Sequence, residues 1–134
     1  MPSQALLDGQ AFLADNATKP GVITTASGLQ YLILREGEGK SPTKKDTVVV
    51  NYRGTLLSGV EFDSSYLAGR EPAEFAVKRV IKGWIEGLQL MKEGAKFKFF
   101  IPSELAYGKR GAGLDIGPDE ALIFEVELLK VWED

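Results

Sequence analysis

A chain of 134 residues with neither cysteine nor histidine is the length of one ordinary domain, and it can hold no disulfide, thiolate nucleophile, Ser-His or Cys-His triad, or zinc site of sulfur or imidazole ligands. Its 16 basic and 19 acidic residues leave a net charge of -3 with no basic stripe, which argues against nucleic acid as a partner. No run approaches the roughly 20 apolar residues of a membrane span and no basic-then-apolar leader opens the chain, so it is expected to be soluble and cytoplasmic, or periplasmic if an export signal has been removed; as given, it is expected to be a monomer without metal or cofactor.

In chain order, Ala5, Leu6, Phe12 and Leu13 recur at helical spacing with Asp8, Gln10 and Asp15 on other faces, predicting a short amphipathic helix from Gln4 to Asn16. Residues 1–17 are therefore assigned to an N-terminal helix. Residues 18–27, with Pro20, Gly21 and several hydroxyl side chains, form an extended linker, and the folded domain spans residues 28–134.

Leu29, Tyr31 and Ile33 alternate with Gln30, Leu32 and Leu34 in a first strand that ends at the Gly37, Gly39 and Pro42 turn region. Thr47 to Leu56 reads as a second strand, with Val48, Val50 and Tyr52 on one face and Asn51 and Arg53 on the other. Lys96 to Ile101 alternates Lys with Phe before Pro102 stops it. Leu122, Phe124, Val126 and Leu128 alternate with Glu125 and Glu127 in a last strand. Ile81, Trp84, Leu88 and Met91 fall on one face of a short helix bounded by Gly83 and Gly94. One helix on the concave side of an antiparallel sheet is an α+β domain, and nothing else in the chain is expected to cover either face of the sheet.

The stretch from Ser103 to Asp119 is rich in glycine, carries Pro118 and has weak periodicity. A long loop inside a compact domain is read as functional, because it holds Tyr107 beside Leu105 and Ala106.

Three motifs compete for a functional reading. Gly37-Glu38-Gly39-Lys40-Ser41 resembles the end of a phosphate loop, but Leu34 stands where the first glycine belongs and no apolar helix follows, so a connecting turn is preferred. Asp63, between Phe62 and Ser64, suggests carboxylate hydrolysis, which needs a second placed carboxylate; Glu61, Glu71 and Glu74 are not distinguished from exposed charges, and a turn-capping Asp is preferred. The aromatics Tyr52, Phe62, Phe75, Trp84, Phe97, Phe99, Tyr107 and Phe124 come from separate elements, and pattern alone leaves core and pocket both open.

The blocks Val49-Val50-Asn51-Tyr52-Arg53-Gly54, Phe62-Asp63-Ser64-Ser65, Val80-Ile81-Lys82-Gly83-Trp84, Ala106-Tyr107-Gly108 and Leu122-Ile123-Phe124-Glu125-Val126-Glu127-Leu128-Leu129 resemble, in this order, the FK506-binding-protein family of peptidyl-prolyl cis-trans isomerases. Lys19-Pro20-Gly21-Val22, Ser27-Gly28-Leu29-Gln30-Tyr31 and Ile85-Glu86-Gly87-Leu88-Gln89-Leu90-Met91 are similar to the bacterial branch that contains the macrophage infectivity potentiator. The resemblance implies a highly twisted antiparallel sheet wrapped around one short helix, preceded here by the last turns of a stalk helix.

It further implies a proline pocket with Trp84 as floor and Tyr52, Phe62, Phe75, Val80, Ile81 and Phe124 as walls, with Ile116 added from the loop. Tyr107 would hydrogen-bond a substrate carbonyl, Ile81 would offer its backbone amide, and Asp63 would sit at the polar rim. Trp84, Tyr107, Asp63 and Ile81 are the implied catalytic residues. The departures are Ala73, where many eukaryotic members carry another aromatic, a short segment from Ala76 to Arg79, and Asp115 in a place often apolar. The implied activity is prolyl isomerisation of peptides and folding proteins, with macrolides of the FK506 or rapamycin type as ligands. The alternatives are a chaperone-like module that holds proline-containing segments, and a structural β domain whose aromatics are only core.

Overall fold

The computed structural model describes residues 2–66 and 72–133; Glu71 and the terminal positions 1 and 134 lie outside the described residues. Among the described residues seven strands form one antiparallel sheet: β1 (Ile23–Thr24), β2 (Gln30–Arg35), β3 (Thr47–Leu56), β4 (Glu61–Ser64), β5 (Ala73–Ala76), β6 (Lys96–Ile101) and β7 (Leu122–Trp132). Their spatial order is β1-β2-β6-β7-β3-β4. β4 and β5 share the outer edge of β3, β4 pairing with Arg53 to Thr55 and β5 with Thr47 to Val50.

The middle of the sheet is the long β3-β7 pair, which runs from Thr47 opposite Trp132 to Leu56 opposite Leu122 with a register shift between Val49 and Val50. An extra residue in one strand bends it and increases the local twist, and one face of the bent sheet holds the core. That face is built by the period-2 alternation expected from the sequence: Val48, Val50 and Tyr52 from β3, Leu122, Phe124, Val126 and Leu128 from β7, and Phe97, Phe99 and Ile101 from β6.

The helix α2 (Lys82–Leu88) lies against this face. Gly83 and Gly87 are one turn apart, and a Cβ on them would stand 2.7 Å from Ile101 Cγ2 and 2.6 Å from Phe99 Cε1. Each glycine lowers helix propensity by about 1 kcal/mol. In exchange the helix backbone meets β6 directly, and Trp84 is carried into the core at 5% exposure. The apolar stripe outlasts the helix, since Met91 is buried in the turn that follows Leu88.

The helix α1 (Gln4–Asn16) is capped by Ser3, whose Oγ accepts from the Leu6 N–H at 3.1 Å. It corrects the expectation that only one helix covers the sheet. Successive strand residues point to opposite faces, so Phe100 points away from the core that takes Phe99, and Phe12 of α1 packs on it with 6.0 Å between ring centres. Gln30 belongs to the same outer face, yet it is buried: its Nε2 donates to the Leu13 carbonyl at 2.8 Å and its Oε1 accepts from Asn16 Nδ2 at 2.9 Å. Within the stretch read as a linker, Ile23 and Thr24 pair with Tyr31 and Gln30. Among the described residues no helix is long and apolar enough to cross a membrane.

Candidate active site

At the open end of the curled sheet lies a cavity of about 290 Å³ lined by Tyr52, Phe62, Asp63, Phe75, Arg79, Val80, Ile81, Trp84, Tyr107 and Phe124. Its floor is the indole of Trp84, delivered by α2. Three rings stand on it nearly at right angles: Tyr52 at 5.3 Å and 85°, Phe75 at 5.6 Å and 86°, and Phe124 at 5.2 Å and 86°. Positive ring edges set against a negative π face make this the favoured contact between aromatics, and four such rings hold one another in place. The indole Nε1 is buried without a hydrogen-bond partner among the described residues.

Strand geometry explains how the walls arrive. Gly54 of β3 lies opposite Phe124 of β7, and a Cβ at Gly54 would stand 2.6 Å from Phe124 Cε1 and 2.7 Å from Phe62 Cζ. The missing side chain is the space in which Phe62 and Phe124 meet edge to face at 5.4 Å and 89°. Phe75 comes from β5, which ends in a 3₁₀ turn, Val77–Arg79, that leads through Val80 to the start of α2.

The polar groups gather at the rim. The Tyr52 hydroxyl donates to Asp63 Oδ2 at 2.7 Å, and the Ser64 N–H donates to Asp63 Oδ1 at 2.9 Å. Ser65 continues this edge, its Oγ accepting from the Tyr52 N–H at 2.8 Å. Tyr107 is half-buried; burial, reinforced by the charge of Asp63, pushes its phenol above the ordinary tyrosine value, so it stays a protonated donor at neutral pH. Its hydroxyl makes no hydrogen bond among the described residues. Ile81 caps α2, its carbonyl accepting from the Trp84 and Ile85 N–H groups at 3.0 Å, while its own N–H donates to no group among the described residues.

Tyr107 reaches the rim because the loop that carries it is ordered. The Asp119 N–H donates to the Gly108 carbonyl at 2.8 Å and closes the base, while Ala112 and Ile116 bridge each other across the middle. Ser3 Oγ, at the start of α1, donates to Asp119 Oδ2 at 2.8 Å. The same bridge turns Ile116 inward, where it is buried in the core cluster and does not line the cavity. The other residues named from the sequence line it. Arg79 lines it too, a position that no motif marks; its one sequence signal is that it directly precedes Val80.

The lining offers no nucleophile and, among the described residues, no second carboxylate beside Asp63. Glu61 is paired with Arg53 on the outside, and Glu74 is exposed on β5. A hydrolytic carboxylate pair is therefore not assembled here. What the cavity offers is a largely aromatic surface with two donors at its edge that have no hydrogen-bond partner among the described residues, the Tyr107 hydroxyl and the Ile81 amide.

A sequence model described as FKBP-type peptidyl-prolyl cis-trans isomerase matches residues 38–129, and one described as the domain amino terminal to such isomerases matches residues 2–33. A probable FKBP-type peptidyl-prolyl cis-trans isomerase, FkpA, of Neisseria meningitidis serogroup B is 55% identical over 123 residues, which are 92% of this chain and 45% of that protein. The outer membrane protein MIP of Legionella longbeachae is 51% identical over 123 residues, 92% of this chain and 52% of that protein. The crystal structure of a peptidyl-prolyl cis-trans isomerase from Pseudomonas syringae pv. tomato matches with a TM-score of 0.91 at 40% identity, covering 99% of this chain and 98% of that one. The chain spans about half the length of the curated relatives it matches.

Proposed function

This chain belongs to the FKBP-type peptidyl-prolyl cis-trans isomerase family, and we propose that its Trp84-floored cavity catalyses rotation about X-Pro bonds in peptides and folding proteins. The observation that carries the proposal is the set of three rings standing on the Trp84 indole, with the Tyr107 hydroxyl and Ile81 N–H left without partners at the rim among the described residues. At about 290 Å³ the cavity lies near the small end of ligand pockets, about 300 Å³, which suits a ring rather than an extended side chain.

Amide resonance sets the barrier to rotation at about 18–20 kcal/mol and is lost in the twisted transition state. The twisted carbonyl is less polarised than the planar one, so a dry aromatic cavity disfavours the planar amide relative to it. Catalysis is then differential binding. The prolyl ring rests on Trp84 between Tyr52, Phe75 and Phe124, while Tyr107 and Ile81 donate to carbonyls of the flanking chain and hold it as the bond turns. Val80 and Phe62 complete the apolar wall, and Asp63 fixes the Tyr52 hydroxyl. No proton leaves any atom. A barrier lowered by about 6 kcal/mol would raise the rate on the order of 10⁴-fold, within reach of binding and desolvation alone.

Macrolides of the FK506 or rapamycin type are proposed to compete for the same cavity, and the span is proposed to act as a monomer. The name of the Legionella relative, outer membrane protein MIP, favours the exported alternative over the cytoplasmic expectation.

The test is isomerisation of an Ala-Leu-Pro-Phe peptide by the chain and by its Trp84→Leu and Tyr107→Phe variants at matched folded fraction. Acceleration that falls in both folded variants supports catalysis in this cavity. A well-folded parent that leaves the peptide rate unchanged overturns it.

A further inference from the structure

The cavity is lined by one residue of each charge, and the two are not equally occupied. Asp63 already accepts from the Tyr52 hydroxyl and the Ser64 N–H. Arg79 lines the same cavity, is exposed, and forms no ion pair among the described residues. The exposed Lys78 and Lys82 flank it, also without ion pairs among the described residues, and no acidic residue occurs between Phe75 and Glu86. In a chain of net charge -3, the segment 77–82 thus carries three cations and no carboxylate, and one of them, Arg79, lines the cavity.

We propose that Arg79 selects, among X-Pro segments, those carrying a Glu or Asp side chain within one residue of the proline. The inference rests on the isomerase reading of the cavity and adds a substrate class to it. Arg79 is two residues from Ile81, at most about 7 Å of extended backbone. A substrate carbonyl held by the Ile81 N–H therefore brings the neighbouring substrate side chain within reach of a guanidinium. Arginine is well matched to a carboxylate, because its planar fork of donors binds one bidentately and keeps its charge at any working pH. The apolar floor and walls accept the prolyl ring whatever its neighbours are, so the charge at the rim acts on the flanking residue alone.

The test uses two peptide series, Ala-Xaa-Pro-Phe and Ala-Ala-Pro-Xaa, with Glu, Gln or Lys at Xaa. The readout is the Glu-to-Gln ratio of kcat/KM within each protein, which cancels differences in folded fraction. In at least one series the parent should prefer Glu about three- to fivefold at low salt, the upper range for an exposed ion pair, and the preference should shrink at high salt. Arg79→Gln should bring the ratio to about one, and Arg79→Glu should shift preference to the Lys peptide. A Glu preference that survives both variants, or that is absent from the parent, overturns the assignment to Arg79. A preference lost instead in Lys82→Gln and kept in Arg79→Gln overturns it as well. A parent inactive on the Gln peptides refutes the isomerase reading itself, and the selectivity falls with it.

Discussion

The phenolic hydroxyl of Tyr52 donates to Asp63 Oδ2 at 2.7 Å while its ring stands edge-on to Trp84, so one side chain joins the polar rim to the aromatic floor. Tyr52 belongs to a central strand and Asp63 to the short edge strand beside it. The bond adds to the β3-β4 ladder and to the packing of Phe62 in tying the edge strand to the cavity. The arrangement gives the Asp63 carboxylate a structural role at the rim of an aromatic cavity.

Replacing Tyr52 by Phe keeps the ring on Trp84 and removes the donor. The expected result is a loss of about 1 kcal/mol in unfolding free energy, read from the urea midpoint at constant slope. kcat/KM should fall severalfold at matched folded fraction; an unchanged midpoint and unchanged rate would show that the bond orients nothing.

Tyr107→Phe separates binding from stability. Its hydroxyl has no protein partner among the described residues, so the urea midpoint should move by no more than about 0.5 kcal/mol in free energy. A lost hydrogen bond to substrate should lower kcat/KM about two- to tenfold. The opposite pattern, a destabilised protein of full activity, would make Tyr107 a structural residue.

Activity should be flat in pH. Burial and the Asp63 charge raise the Tyr107 phenol above its ordinary value of 10.0, and the donor is its protonated form, so the contribution is complete at neutral pH and is lost only as pH rises past that value. With no histidine or cysteine in the chain, kcat/KM between about pH 6 and 9 should vary less than about twofold. A bell-shaped profile in that window would indicate proton transfer.

Gly54→Ala should injure the site from behind. The new Cβ falls within 2.6 Å of Phe124 and 2.7 Å of Phe62, so the rings must shift or the strand must move. Overpacking of this kind costs about 1–3 kcal/mol. At matched folded fraction kcat/KM should drop; full activity in a folded variant would show that the Phe62-Phe124 contact does not shape the cavity.

Gln30→Ala strands Asn16 Nδ2 on the outer face, while the Leu13 carbonyl keeps the Ala17 N–H, at a cost of about 1–3 kcal/mol for a buried group left unpaired. The cavity lies across the sheet, so kcat/KM of the folded variant should equal that of the parent. A fall in kcat/KM would reveal coupling between α1 and the site.

Local patterns suffice for the elements that depend on local chemistry. The alternation of Val48, Val50 and Tyr52 and of Leu122, Phe124 and Val126 marks strands and their inner faces, and the spacing from Ala5 to Leu13 marks α1, because side-chain periodicity follows directly from backbone geometry. The ordered blocks around Tyr52, Asp63, Ile81, Tyr107 and Phe124 point to the family, and the absence of histidine and cysteine removes most other chemistry.

Which surface covers a face is a different kind of fact, because it depends on residues far apart in the chain. Gln30 has the pattern of the solvent side of a strand, yet α1 folds over it, and Ile116 is a pocket wall only by the family resemblance, while its bridge to Ala112 accompanies its burial in the core. Gly54, Gly83 and Gly87 carry no side chain that a pattern could read; their meaning is the ring or branched side chain that fills the space where each side chain would be. Arg79 has the pattern of one more surface cation, and only the approach of β5, α2 and the Tyr107 loop puts it at the rim of the cavity. The sequence alone thus determined the two helices, the four longer strands, their inner faces and the chemistry available, while close approach between distant segments, which periodicity does not encode, made the short strands β1, β4 and β5 and decided where each surface meets another.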